Sequence, residues 1–193
     1  MKRLLGALAV LAAPVLATSA RAQVAIDVKA GYALPTGNVA SATTVTTDPH
    51  GPLKNRVSGA VPLEIAGRYR FTPNFSAGIY FQYAPAFVSA FSCLASFSCS
   101  ASNVRVGAEA VYAFRPESTF NPWVSVGSGW EWFNAQVGAD WNVTRTFAFG
   151  PYVGFFGGQY SSATVEGRST TIAASARQFH GWWQLGLKGT VNM

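Results

Sequence analysis

Charged residues are scarce in this sequence. Asp, Glu, Lys and Arg make up only 11% of the 193 residues, whereas an average soluble domain has about 25%. Between Arg70 and Arg105 there is no charged residue at all. Together with 49% hydrophobic residues, this composition excludes an intrinsically disordered chain, which combines low hydrophobicity with high charge. It also excludes a coiled coil, which is rich in Glu, Lys and Leu.

The N-terminus accounts for much of the basic charge. Two basic residues precede an apolar run over residues 4–16, and residues 20–22 have the A-x-A form of a cleavage site. We therefore expect a secretory signal peptide over 1–22 and a single mature domain over 23–193. Removing the signal takes away three of the 14 basic residues, so the formal net charge falls from +6 to +3. Because no cluster of Lys and Arg remains, no nucleic-acid partner is expected.

Cysteine is equally scarce, with two copies at Cys93 and Cys99. An exported chain meets an oxidising compartment, so we expect these two residues to form a disulfide. No His or carboxylate adjoins them in the sequence, and two thiolates alone do not complete a tetrahedral metal site. The sequence therefore predicts no metal and no cofactor.

The mature sequence also lacks a long apolar run. The uncharged stretch after Arg70 is interrupted by Pro73, Pro85 and several Ser, Asn and Gln residues, so no transmembrane helix is expected. What the sequence has instead is alternation of apolar with small or polar residues, which is the period of a β-strand. This alternation predicts eight strands, at residues 24–34, 61–71, 75–84, 104–114, 123–127, 133–143, 147–158 and 183–193.

The predicted connections are mostly short and long in turn. Short ones cover 72–74, 115–121 and 144–146, and the link at 128–131 is short where a long one is expected. The long ones cover 35–60, 85–102 and 161–179. With an even number of strands, both termini and the short turns lie at one end of the sheet, and the long loops share the other end.

The two faces of these strands differ in kind. One face is large and apolar, with aromatic residues towards the strand ends: Tyr69, Phe71, Tyr112, Phe114, Trp141 and Trp183. The other is small and polar, with charges of both signs: Asp27, Lys29, Glu64, Arg68, Arg70, Arg105, Glu109, Asp140 and Lys188. Nearly balanced charge among small residues fits a crowded interior in which ions must pair. An apolar face bordered by aromatic residues fits a band in contact with lipid.

These faces favour a closed membrane barrel over a soluble one. In lipid every backbone N–H and C=O has to be paired within the protein, so a sheet that spans the bilayer must close on itself. Shifting the second strand by one residue would place Glu64, Arg68 and Arg70 in lipid, where a charge costs about 2–4 kcal/mol at mid-bilayer. The alternative is an exported, lipocalin-like soluble barrel, whose apolar face would point inwards.

In these features the chain resembles the small eight-stranded outer-membrane β-barrels, such as OmpX, Ail and the transmembrane domain of OmpA. The resemblance covers nearly all of 23–193 and rests on the exported start, the alternating strands and links, and the strand-like C-terminus. It implies an all-β, antiparallel, up-and-down barrel in the outer membrane of a Gram-negative-type envelope, with lipid and lipopolysaccharide around it. Members of this family often end in Phe, whereas this chain ends in Met193.

The sequence leaves the activity open between several classes. We expect a non-enzymatic barrel whose interior is packed with ion pairs, because eight strands leave a lumen barely wide enough for side chains. Its extracellular loops would contact a surface ligand or a partner protein. The alternative is a narrow channel or a conduit for small hydrophobic compounds. The apolar loop 85–102 is either a contact surface for a partner or for lipopolysaccharide, or an extension of two strands beyond the membrane.

A barrel hydrolase acting on lipids is less expected. Outer-membrane lipid A deacylases, which have a similar size, carry a His-x-Ser pair on a late strand, whereas His180 is followed by Gly181 and Trp182. We therefore expect His180 and His50 to be interfacial or loop histidines, and we expect no catalytic residue.

Overall fold

The computed structural model describes most of the chain from residue 24 to residue 193. The described residues are 24–38, 53–55, 57–88, 101–130, 132–159, 162–165, 168–171 and 174–193. Their strands are β1 (Val24–Gly37), β2 (Val57–Ala60), β3 (Leu63–Arg70), β4 (Phe75–Val88), β5 (Ala101–Ala113), β6 (Phe120–Gly129), β7 (Phe133–Asn142), β8 (Phe147–Gln159), β9 (Ser162–Val165), β10 (Arg168–Thr171) and β11 (Phe179–Asn192). Short 3₁₀ turns cover Leu53–Asn55 and Ala174–Ala176. The signal peptide predicted over 1–22 and the predicted Cys93–Cys99 disulfide lie outside the described residues.

The strands form a closed antiparallel barrel. The order around it is β1, β3, β4, β5, β6, β7, β8 and β11, and β11 pairs back with β1. This closing pairing runs from Ala25 opposite Asn192 to Gly37 opposite His180. Because β2 continues the line of β3 between β1 and β4, the two count as one strand position, and the barrel is eight-stranded. The predicted eight-stranded, up-and-down barrel is therefore confirmed.

The second predicted strand, 61–71, is wrong in its detail. Its first two residues, Val61 and Pro62, lie in a break between β2 and β3, and β2 falls within the predicted long connection 35–60. Proline has no backbone N–H and cannot complete a strand ladder. The pairing of β2 with β4 is also irregular, because the register shifts between Val57 and Gly59. The pairing of β2 is thus irregular at the end with the long connections.

Several strands are longer than predicted, mostly at the end with the long connections, and β6 (Phe120–Gly129) extends beyond the predicted 123–127 at both ends. β4 continues to Val88 and β5 begins at Ala101, so the described parts of the predicted loop 85–102 extend these two strands. β1 reaches Gly37 and β11 begins at Phe179. The separate hairpin of β9 and β10 lies within the predicted loop 161–179.

Apolar side chains cover the outside of the barrel, and polar side chains face its lumen. Ile79 on the outer face of β4 is 70% exposed, whereas Asp27 on the inner face of β1 is 1% exposed. A lipocalin-like soluble barrel would have the opposite arrangement. Within the described residues no helix is long and apolar enough to cross a membrane.

Short turns close the end of the barrel that holds both termini. In two of them a threonine caps the turn: Thr72 Oγ1 accepts from the backbone N–H of Phe75 at 3.0 Å, and Thr144 Oγ1 accepts from that of Phe147 at 2.9 Å. At the opposite end, β6 ends at Gly129 and β7 begins at Phe133, so the connection between them is short, although it was predicted at 128–131. The contacts of Thr72 and Thr144 are local hydrogen bonds of the kind by which serine and threonine stabilise tight turns.

Candidate functional site

The candidate site is the lumen, where the inward-facing polar side chains meet. Its first group is built on Asp27, which accepts two hydrogen bonds from the Arg68 guanidinium, at 2.6 and 2.7 Å. Thr190 Oγ1 donates to the same carboxylate at 2.7 Å, and Arg68 donates to Ser76 Oγ at 2.8 Å. The planar fork of arginine matches a carboxylate in this geometry, which gives strong, oriented hydrogen bonds.

The second group joins opposite walls of the barrel through Lys29. Its Nζ lies 2.7 Å from Glu64 Oε1 on β3 and 3.3 Å from Glu109 Oε2 on β5. It also donates to Gln136 Oε1 on β7 at 3.0 Å. One ammonium on β1 therefore holds side chains from three other strands, and it lies within 3.3 Å of two carboxylates whose residues are each 3% exposed.

The third group combines an ion pair with an aromatic ring. Lys188 Nζ lies 2.7 Å from Asp140 Oδ2 and 3.8 Å from the centroid of the Trp123 ring. The indole N–H of Trp123 donates to the other oxygen of Asp140 at 3.0 Å. Such a cation over an indole is attracted by the ring quadrupole, and the attraction is strengthened by desolvation.

The fourth group is built around Arg105. Its guanidinium donates to Gln82 Oε1 and lies 5.0 Å from the ring centroid of Phe156 and 5.7 Å from that of Trp182. Gln82 Nε2 in turn donates to Glu64 at 2.8 Å, and Gln184 Nε2 donates to Gln82 Oε1 at 3.1 Å. Gln82 thus connects this group with the carboxylate held by Lys29.

The lumen also contains apolar side chains. A buried cluster there consists of Ala33, Leu53, Ala60, Ala66, Tyr80, Ala84, Phe156 and Trp182. Leu53, from the 3₁₀ turn after β1, is 4% exposed. The Arg105 guanidinium lies against two members of this cluster, Phe156 and Trp182, so apolar and charged side chains are in contact within the described lumen.

Eight of the nine predicted interior charges are buried in these groups, and the buried charged side chains are balanced as four cations and four anions. The ninth, Arg70, is only partly buried and donates to Asn192 Oδ1 at 2.7 Å, close to the short turns. The described residues contain no group of acidic, His and Cys side chains that could hold a metal ion.

His180 is placed differently from the prediction. It was expected at the start of the last strand as an interfacial or loop histidine, and it does lie at the start of β11, but it is 1% exposed and therefore buried inside the barrel. Its neighbours along β11, Gly181 and Trp182, are also buried. The sequence alternation did not reveal that His180 is buried, because the predicted strand began at Trp183. The observed strand β11 begins four residues earlier, at Phe179. His50 lies outside the described residues.

Several lumen residues were not singled out in the sequence. Besides Gln82 and Gln184, they are Tyr80, Trp123, Ser125, Asn134, Gln136 and Thr190. All of them occupy inward positions in the alternation, and this position was the only indication in the sequence that they face the lumen. Their neutral side chains carry no charge pattern, so only the closed barrel shows which ones meet.

The predicted aromatic girdle residues are on the outer surface. Five of them lie near the short turns: Tyr69, Phe71, Tyr112, Phe114 and Trp141. Trp183 lies nearer the other end and contacts Phe155, with ring centroids 4.9 Å apart. Phe155 also contacts Phe133 and Phe179, which gives this end its own patch of rings.

Comparison with solved structures finds chains with a similar fold and low sequence identity. Neisserial surface protein A (NspA) superimposes with a TM-score of 0.58 at 11% identity, covering 91% of this chain and all of that one. The chain has the fold of a small outer-membrane β-barrel. Weaker similarities are to the outer membrane protein AlkL, with TM-score 0.49, 11% identity and coverage of 92% and 95% of the two chains, and to OprG from Pseudomonas aeruginosa, with TM-score 0.46, 10% identity and coverage of 90% and 98%.

No protein-family model matches the chain, and no curated protein matches it either. The predicted resemblance to small outer-membrane barrels is nevertheless confirmed at the level of the fold. This fold, with its apolar exterior, places the barrel in an outer membrane, in contact with membrane lipid.

Proposed function

We propose that the chain is a closed, non-conducting barrel that anchors extracellular segments, and that its interactions with other molecules occur through those segments. The observation that carries the proposal is the crowding of the lumen. Lys29 is bound to residues of β3, β5 and β7, and Gln82 on β4 is bound to Gln184 on β11. Bonds across the lumen in several directions leave little room for a continuous aqueous path in a barrel of eight strands.

The position of the long connections supports the second half of the proposal. In outer-membrane barrels the short turns face the periplasm and the longer loops face the outside. Here the connections from β1 to β2, from β4 to β5 and from β8 to β11 all leave the end opposite the termini. We propose that these three connections contact a surface ligand, a partner protein or lipopolysaccharide.

Single-channel recording tests whether the lumen is closed. The mature chain, refolded into planar lipid bilayers, is expected to give no stepwise current. A Tyr80→Ala, Trp182→Ala double variant truncates two large lumen side chains and serves as the opened control, while Leu185→Ala changes only the lipid face. The proposal would be overturned if the unaltered chain gave current steps, and if the size of these steps changed in the Tyr80→Ala, Trp182→Ala variant but not in Leu185→Ala.

Shortening the three long connections one at a time tests the surface role. Each shortened barrel is first checked for folding by its gel mobility with and without boiling, since a closed barrel that resists detergent migrates differently once it is unfolded. The probe is binding to vesicles with lipopolysaccharide, compared with vesicles of phospholipid alone. If all three folded variants bind these vesicles as the full chain does, the connections do not contact lipopolysaccharide. The proposed surface role would then require that they bind another surface ligand or a protein partner.

The proposal includes no catalytic role. His180, the histidine that a lipid hydrolase would need, is buried in the lumen, where a bilayer lipid would have to enter the barrel to reach it. We expect His180→Ala to leave the lipid composition of the host membrane unchanged. A change in acylation of membrane lipids that depends on His180 would contradict this part of the proposal.

A second candidate function is a conduit for small hydrophobic compounds. The observation that favours it is the apolar cluster in the lumen, with small side chains such as Ala33, Ala60 and Ala84 on one side and Phe156 and Trp182 on the other. Uptake of a small hydrophobic dye into vesicles containing the barrel, blocked by Ala84→Trp, would support this candidate against the closed anchor.

A further inference from the structure

One stretch of the lumen wall holds polar atoms that the groups above leave without a partner. Among the described residues, no hydrogen bond reaches Glu109 Oε1, Ser125 Oγ, Asn134 Oδ1 or Gln136 Nε2. All four side chains are at most 4% exposed, and they belong to three adjacent strands, β5, β6 and β7. A buried polar atom without a hydrogen bond is costly, so four of them in one place need an explanation.

The strand register brings these side chains together. Gly127 on β6 lies opposite Glu109 on one side and opposite Asn134 on the other. Ser125, two residues along β6, lies opposite Gln136. Residues opposite each other in an antiparallel pair share a face, and here that face is the lumen.

The glycine at the centre of this set makes room for the side chain of Asn134. A Cβ at Gly127 would lie 2.6 Å from Asn134 Nδ2 and 3.0 Å from Asn134 Oδ1. The amide of Asn134 therefore lies over Gly127, the residue paired with Glu109 on the other side. The carboxylate of Glu109 and the amide of Gln136 are held close to each other as well, because both bind the ammonium of Lys29.

The orientation of each group is fixed by its other partner. Gln136 accepts from Lys29 through Oε1, so its Nε2 has to point away from that cation. Asn134 donates through Nδ2 to the hydroxyl of Tyr80 at 3.0 Å, which leaves Oδ1 as the free atom. The unpartnered set is thus two acceptors, Glu109 Oε1 and Asn134 Oδ1, one donor, Gln136 Nε2, and one hydroxyl, Ser125 Oγ, that can do either.

We propose that this set is a binding site for a water molecule that forms part of the folded lumen. A water molecule donates two hydrogen bonds and accepts two, which matches two acceptors, an amide donor and a hydroxyl. Buried waters occur at such clusters of otherwise unsatisfied groups and make about three hydrogen bonds each. The water would connect β5, β6 and β7 within the lumen, in addition to their backbone ladders.

A cation fits the same site poorly. The amide N–H of Gln136 would point towards it, and the ammonium of Lys29 already lies 3.3 Å from Glu109. The buried charges of the described lumen are also balanced without it. This inference goes beyond the proposed anchoring role, since it holds whichever partner the extracellular connections bind.

Replacing Ser125 by alanine distinguishes a hydrated site from a dry one. If the site were dry, Ser125→Ala would remove an unsatisfied hydroxyl and raise the urea midpoint of unfolding from lipid vesicles. If water is bound, the variant removes one of its partners and lowers the midpoint. Ser76→Ala is the matched control, because Ser76 Oγ accepts a hydrogen bond from Arg68 at 2.8 Å and its loss must lower the midpoint in either case.

Direct detection uses the unaltered chain, so it does not depend on a variant that folds. In nanodiscs, NMR cross-peaks between long-lived water and the side-chain amide protons of Gln136 are expected, and Ser125→Val, which fills the site with methyl groups, should remove them. Cross-peaks together with a lowered midpoint for Ser125→Ala support the water site. A raised midpoint, or no cross-peak in the folded unaltered barrel, overturns it.

Discussion

The side-chain amide of Asn134 donates a hydrogen bond of 3.0 Å to the hydroxyl of Tyr80, although β5 and β6 separate the strands of the two residues. Two glycines make this approach possible. A Cβ at Gly107 would lie 2.6 Å from the Tyr80 hydroxyl, and one at Gly127 would lie 2.6 Å from the Asn134 amide. The wall between the two strands is therefore thin at the height where their side chains meet.

Tyr80→Phe is expected to destabilise the barrel modestly. The variant removes the hydroxyl that accepts from Asn134 and leaves a buried amide N–H without that partner, which costs about 1–3 kcal/mol. The measurement is the free energy of unfolding by urea in lipid vesicles. Tyr83→Phe on the same strand is the control, since Tyr83 is on the outer face and 43% exposed, and it should change the free energy by less than about 0.5 kcal/mol.

Lys29→Met is expected to cost much more than Tyr80→Phe. Without this ammonium, Glu64 and Glu109 are left buried without the cation that lies within 3.3 Å of both. Removing one partner from a buried ion pair costs about 3–5 kcal/mol. The same urea titration measures the loss, and Lys54→Met, at an exposed position, serves as the control.

A second substitution shows whether charge causes that loss. In the Lys29→Met background, Glu64→Gln removes one of the two uncompensated carboxylates, so it should recover part of the free energy. In the unaltered chain the same Glu64→Gln should be destabilising, because it weakens the pair with Lys29. If Glu64→Gln were destabilising by the same amount in both backgrounds, the pairing would contribute nothing.

The fold was predictable because the bilayer imposes alternation on each strand separately. Val28 and Lys29 are neighbours in the sequence, yet one is 57% and the other 2% exposed. Such local contrast fixes the face of each residue without any knowledge of the other strands. The break at Pro62 also had a local signal, a missing backbone N–H, but the alternation of side chains continues through it and conceals the interruption.

The lumen contacts could not be predicted in the same way. Alternation places Lys29 and Glu109 on the inner face, but these residues are 80 positions apart in the sequence and lie on opposite walls. Which inner residues meet depends on how the strands are staggered when the sheet closes, and this stagger is not visible in any single strand. The pairing of Asn134 with Tyr80 depends in addition on two glycines, whose own sequence signal is only the absence of a side chain.

Charges introduced on the outer face should have an effect that depends on depth. Ile79 lies within β4 and is 70% exposed, and Phe114 lies just after β5 and is 54% exposed. An arginine at the bilayer midplane costs about 2–4 kcal/mol, falling to about 0–1 kcal/mol near the interface. We therefore expect Ile79→Arg to destabilise the barrel clearly and Phe114→Arg to have little effect, as measured by urea unfolding from vesicles. Equal losses at the two positions would argue against a bilayer that surrounds Ile79 and has its interface near Phe114.

The closing seam between β1 and β11 should be sensitive to the smallest added side chain. Gly31 lies opposite Gly186, and a Cβ at Gly31 would be 2.3 Å from the carbonyl oxygen of Leu185, while one at Gly186 would be 2.2 Å from that of Ala30. These contacts are with backbone, which cannot move aside without separating the two strands. Gly31→Ala should therefore cost about 1–3 kcal/mol, the usual range for overpacking.

Gly67 provides the matched control for the seam. It lies on the outer face of β3, and a Cβ there would have no atom within 4 Å. Gly67→Ala should be neutral or stabilise the barrel by up to about 1 kcal/mol, because alanine loses less conformational entropy on folding. In gels without boiling, the fraction of chain migrating as folded barrel should fall with temperature earlier for Gly31→Ala than for Gly67→Ala. If both variants keep the folded mobility to the same temperature, β1 and β11 approach each other less closely than the contacts at Gly31 and Gly186 require.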